Sequence, residues 1–245
     1  MGWRLVEIAG KTADLWEPDD LVAPAGRALL FLHGYDSLTL AGNEAWTAAL
    51  AEHRLPCLCP HGPGCWWLDR VYPPFDVAVS PLAFLHGPVR EFTAGRWNLP
   101  PRMLALGGYE MGGQGALQLA YRYGREYPVV AAVSPKLDLE TWYGHGLTLD
   151  EIFADREGAR QAGAMLQLHP LDWPKSQFLA ADPADPYCFD ATERLVGKLG
   201  SSGIPCAREL EESHGGFGWE YANHLAGRVV RFVGESLERE SRRLV

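Results

Sequence analysis

The chain is short of several things, and each shortage excludes something. Nowhere does it hold the ~18–20 consecutive apolar residues that crossing a bilayer requires, so no membrane association of that kind is expected. Basic residues are scarce: 22 Lys+Arg face 31 Asp+Glu, a net charge of −9 over 245 residues. With no basic cluster beyond Arg242-Arg243, such a surface repels phosphate backbones, and nucleic acid is not an expected partner. The first twenty residues lack the charged-then-apolar layout of a secretory signal, and Val6 stands where N-myristoylation needs Ser or Thr. Cysteine is sparse and odd in number, at positions 57, 59, 65, 188 and 206, which fits reduced thiols in a cytoplasm better than a disulfide framework. Cys57, Cys59, His61 and Cys65 lie close together, but C-x-C-x-H is not a zinc spacing. No metal and no other cofactor is expected.

Glycine and proline, by contrast, are plentiful. The 27 glycines and 18 prolines make about 11% and 7% of the chain, against the usual ~7% and ~5%. They show no short period, and neither a repeat nor a linker divides the sequence, so the surplus reads as tight loops within one domain over residues 1–245. Trp3–Ile8 and Thr12–Trp16, split by Gly10-Lys11, suggest an opening hairpin. Ala28 to Leu32 is an unbroken apolar run ending at His33-Gly34, the pattern of a strand buried on both faces of a parallel sheet. Further strands are expected at 56–59, 103–106, 129–133, 177–181 and 204–210, with helices at 43–53, 81–92, 112–123, 190–199 and 219–237. Such alternation implies an α/β fold, a mostly parallel central sheet with helices on both faces. Between Trp142 and Pro174 it lapses into a helical excursion that could partly cover a site. The acidic stretch Glu209-Glu211-Glu212 reads as a solvated strand end.

A strand, a glycine turn and a helix meet at Gly108-Tyr109-Glu110-Met111-Gly112-Gly113. This is the layout of the nucleophile elbow, G-x-S-x-G, with glutamate in place of serine. Around it, in chain order, stand Phe31-Leu32-His33-Gly34, Trp66-Trp67 with Asp69 and Phe75-Asp76, Asp182-Pro183-Ala184-Asp185-Pro186, and Gly215-Gly216-Phe217-Gly218-Trp219-Glu220-Tyr221. On these residues the chain resembles the α/β-hydrolase superfamily, and within it the bacterial esterase-D-type and prolyl-oligopeptidase-like single-domain esterases. The resemblance implies an α/β-hydrolase fold and puts Glu110, Asp185 and Phe217 at the nucleophile, acid and histidine positions of the triad. It also makes Tyr35 and Met111 the backbone donors of the oxyanion hole, and gives His33 a part in shaping that loop.

Serine hydrolysis needs a hydroxyl to attack, an imidazole to take its proton and an acid to orient that imidazole. Glutamate and phenylalanine leave two of these roles vacant. Two functions are therefore expected as alternatives. One is a pseudoenzyme that acts through binding or structure, with Glu110 folded back into the oxyanion hole and blocking it. The other is an active hydrolase of small esters or amides that uses Glu110, with His214 as substitute base and Asp185. A small ester-like or other small-molecule ligand suits both, and the sequence names no protein partner.

Overall fold

A computed structural model describes residues 2–19, 21, 25–100 and 102–243. Among them, eight strands form one sheet. The hairpin of β1 (Arg4–Ile8) and β2 (Lys11–Trp16) turns through Ala9 and Gly10, both at positive φ, and joins the sheet antiparallel to β4 (Cys57–Pro60). From there to the other edge the pairing is parallel, through β3 (Ala28–Leu32), β5 (Leu104–Tyr109), β6 (Val129–Val133), β7 (Ser176–Ala180) and β8 (Ala207–Glu209).

The helices cover both faces. In chain order they are α1 (Glu44–Glu52), α2 (Pro81–Phe84) running through a π turn (Leu85–Val89) into α3 (Arg90–Trp97), and α4 (Met111–Arg122). The excursion holds α5 (Leu139–Trp142), α6 (Leu149–Ile152), α7 (Arg156–Ala162) and a single 3-10 turn (Ala164–Leu166). Then come α8 (Phe189–Ser201), α9 (Trp219–His224) and α10 (Ala226–Ser241). Asn43 caps α1, its side chain accepting the Trp46 N–H. The helix expected at 81–92 runs on to Trp97 and swells at Pro88, whose missing N–H removes one rung of the ladder. The closing helix expected at 219–237 breaks at Leu225 into two, and the second continues to Ser241. Among the described residues, no helix is long and apolar enough to cross a membrane.

Side chains of the central strands alternate between two cores. Leu30, Leu32, Leu58 and Leu106 join Trp67, Leu117 and Leu119 on one face; Leu29, Phe31, Cys57 and Ala105 join Trp46, Val229 and Val233 on the other. With both faces covered, β3 has no solvent-facing side chain to supply, which is why its sequence is uninterrupted Ala-Leu-Leu-Phe-Leu. Two of the expected strands are corrected. β5 continues through Gly107 and Gly108 to Tyr109, because those glycines let neighbouring chain pack against the strand instead of ending it. β8 keeps only three of the seven residues expected at 204–210.

Candidate functional site

The site begins with a close crossing. A Cβ at Gly112 would lie 1.9 Å from the Leu32 carbonyl oxygen, and one at Gly108 would lie 2.2 Å from that of Gly112. Glycine at both places lets α4 start hard against β3 and β5, and the turn between strand and helix is correspondingly tight. Its apex, Glu110, is held at φ 55° and ψ −116°, a conformation that costs a non-glycine residue on the order of 1–3 kcal/mol. The main chain around it fixes this geometry: the Glu110 N–H donates to Val133 O at 3.0 Å, and its carbonyl accepts from the Gln114 and Lys136 N–H groups, each at 3.1 Å.

The Glu110 side chain is buried, at 5% exposure, and both carboxylate oxygens are taken. Oε2 accepts the Tyr35 backbone N–H at 2.5 Å. Oε1 forms an ion pair with Lys136 Nζ. Of the two amides expected to meet it, the Tyr35 N–H is engaged, while the Glu110 side chain makes no capping bond to α4; the Met111 sulfur separately accepts the Trp66 N–H at 3.3 Å. Gly34 makes room for the carboxylate, since a Cβ there would stand 2.5 Å from Oε2.

Lys136 is a site residue that sequence reasoning did not reach. It lies in the loop that leaves β6, after Ser134 and Pro135, and is 6% exposed. Its ammonium lies 3.9 Å from the Trp142 ring centroid, 5.7 Å from that of Phe217 and 5.9 Å from that of Trp66. A buried ammonium is tolerated where a carboxylate and aromatic faces replace water, and all are present here. One signal could have found it. β6 is the parallel neighbour of β5, with Val133 opposite Tyr109, so the loop leaving β6 must emerge beside the elbow.

Phe217 is half-buried, its ring 6.2 Å from that of Tyr109 and 5.3 Å, edge-on, from that of Tyr187. It therefore stands over the Glu110–Lys136 pair and beside the loop that carries Asp185. Asp185 is buried; its Oδ1 accepts the Tyr187 and Cys188 N–H groups at 2.8 and 3.1 Å. Among the described residues its Oδ2 has no hydrogen bond of good geometry, although the Ser134 hydroxyl and the Cys188 thiol both lie near the carboxyl. Burial pushes the Asp185 carboxyl above its usual range, and the two amides only partly offset this.

The structure does not bring His214 to Glu110. His214 lies at the surface with its ring stacked on His224 at 4.2 Å and its Nε2 3.8 Å from Glu220 Oε1. His33 is fully buried, with Nδ1 2.7 Å from Gly34 O and Nε2 accepting the Gly62 N–H at 2.9 Å. Burial holds its imidazole below the ordinary value, and both ring nitrogens are spent on the backbone.

Two acidic residues have structural duties that the sequence did not disclose. Asp182, fully buried, accepts the Ala184 N–H, the Ser213 hydroxyl and the His214 and Gly216 N–H groups, and so ties down the loop that leads to Phe217. Burial alone would raise its carboxyl, but these bonds outweigh it and hold the group below its usual range. Glu209, expected in solvent, is buried instead. It accepts the Glu211 and Glu212 N–H groups and pairs with Arg228, which together outweigh burial and lower its carboxyl likewise.

No protein-family model matches the sequence, and no curated sequence matches it either. Solved structures do match. FphF, a fluorophosphonate-binding serine hydrolase of Staphylococcus aureus, superposes with a TM-score of 0.76 at 13% identity, over 96% of this chain and 99% of its own. The fold is that of the α/β hydrolases. A ferulic acid esterase gives 0.75 at 13% identity, over 96% of this chain and all of its own. An S-formylglutathione hydrolase from Agrobacterium tumefaciens gives 0.69 at 14% identity, over 97% of this chain and all of its own. At such identities the likeness is one of fold, and function has to be argued from the site.

Proposed function

We propose that this protein is an esterase-like α/β-hydrolase homologue that does not carry out serine hydrolase chemistry and acts instead by binding. The observation that carries this reading is the state of Glu110, whose two oxygens are held by the Lys136 ammonium and the Tyr35 amide. At the elbow position this residue has no hydroxyl to acylate. Its carboxylate is charge-compensated and hydrogen-bonded, and both engagements lower its nucleophilicity. The Tyr35 N–H, where the resemblance places an oxyanion donor, is already spent on the protein's own anion.

A carboxylate nucleophile would also need a base to activate water for the second step. The position from which an imidazole would work carries Phe217. His33 is locked to the backbone and His214 is stacked on His224, so neither serves Glu110. No observation favours the alternative of an active hydrolase built on Glu110 and His214.

The test is hydrolysis of a short-chain p-nitrophenyl ester series by the purified protein and by its Glu110→Gln variant. Both are expected at the buffer rate. Turnover by the parent that disappears in the variant would mean that Glu110 does chemistry, and the reading would fall.

A further inference from the structure

Beside the ion pair, between the excursion and the start of α8, lies a pocket of about 520 Å³, a size that suits a small organic molecule. Its walls include Asp138, Trp142, His145, Tyr187, Asp190 and Arg194, and neither Glu110 nor Lys136 is among its lining residues. Two aromatic rings dominate it: Trp142 and Tyr187, with centroids 5.7 Å apart and planes tilted by 51°. Tyr187 is an exposed large side chain, so the aromatic surface is open to a ligand.

The charges of the lining are unequal. Arg194 is committed to Asp138 by an ion pair. The carboxylate of Asp190, exposed and in the first turn of α8, has no hydrogen bond or ion pair among the described residues. It already supplies the negative charge that a helix N-terminus favours. What remains is one carboxylate with no side-chain partner among the described residues, next to the open Tyr187 ring and the Trp142 ring, in a chain of net charge −9. Aromatic faces attract cations, and Trp142 demonstrates this in place by holding the Lys136 ammonium 3.9 Å from its ring centroid.

We propose that this pocket binds a small organic cation: an ammonium or quaternary ammonium group on an aromatic or short aliphatic body. The body lies along Trp142 and Tyr187, and the charged head sits against their rings within reach of the Asp190 field. An anion would meet Asp190 and Asp138 with only one guanidinium to answer both. The inference does not rest on the elbow being silent: Trp142 and Tyr187 border the ion pair and Phe217, but the pocket is lined by neither Glu110 nor Lys136, and the proposed contacts need no chemistry at position 110.

The test is isothermal titration of the full-length protein at pH 8 with benzyltrimethylammonium, benzyl alcohol and phenylacetate. The cation is expected to bind saturably and one to one. Benzyl alcohol should bind at least about fivefold more weakly, and phenylacetate not at all. Asp190→Asn and Tyr187→Ala should each weaken the cation by about fivefold while both variants stay folded, with melting temperatures within a few degrees of the parent. Equal affinity for the three probes, preference for phenylacetate, an unaffected Asp190→Asn variant, or no saturable binding of the cation would each overturn the proposal.

Discussion

Replacing Glu110 by Ser, Phe217 by His and Lys136 by Met in one chain is expected to raise p-nitrophenyl acetate hydrolysis by at least ~10²-fold over the parent. On the proposed reading Asp185 is the acid limb for such a repair. Asp185 is fixed through Oδ1 by two backbone amides, while its buried Oδ2 lacks a donor. An imidazole N–H at position 217 is the kind of group that would satisfy it, and an imidazole so oriented can take a proton from a hydroxyl at position 110. Removing Glu110 also frees the Tyr35 amide to meet a developing oxyanion. Lys136→Met belongs in the set because an ammonium left buried without its carboxylate would destabilise the fold. Glu110→Ser alone should stay within a few-fold of the parent, since the hydroxyl would have no base. A folded triple variant, with an unchanged urea midpoint, that still hydrolyses at the parent rate would show that the three positions do not form a working geometry.

Lys136→Met by itself is expected to cost about 3–5 kcal/mol of stability, read by urea unfolding. The loss comes less from the attraction given up than from the charge left behind. Glu110 would remain buried with one backbone N–H for company, and a buried carboxylate without a counter-ion is strongly disfavoured. The Glu110→Gln, Lys136→Met pair should recover at least half of that cost, because it leaves no net charge in the aromatic box. A single-variant cost under ~1 kcal/mol would mean that the pair behaves as a solvated surface contact and not as a lock on the elbow.

The contrast between what the sequence disclosed and what it did not follows from how each feature is encoded. Buried parallel strands must be apolar on both faces, so Ala28–Leu32 was readable directly. The elbow was readable because close approach of backbone admits only glycine, and Gly108 and Gly112 are needed wherever a helix crosses a strand this tightly. The order of the loops around it was enough to place the fold. The loop after β6 was a readable place to look, but nothing in that segment marked Lys136 itself. A lysine is usually solvated, and its burial here depends on Trp142, Phe217 and Trp66, which come from three distant segments. Glu209 escaped for the same reason: its partner Arg228 lies on α10, and nothing local distinguishes it from its exposed neighbours Glu211 and Glu212. In Asp182-Pro183-Ala184-Asp185-Pro186 the spacing offers two acids with similar surroundings. Only the tertiary structure shows that Asp182 ties down the loop before Phe217 while Asp185 keeps a free oxygen.

On the proposed reading no activated hydroxyl stands at the elbow, and a fluorophosphonate probe reads that property directly, because it forms a covalent adduct with an activated serine. Intact-mass analysis of the parent chain after exposure to the probe should show no adduct. Under the same conditions the triple variant, carrying Glu110→Ser, Phe217→His and Lys136→Met, should take up one equivalent. Stoichiometric labelling of the parent would reveal an activated nucleophile elsewhere in the chain and contradict the account.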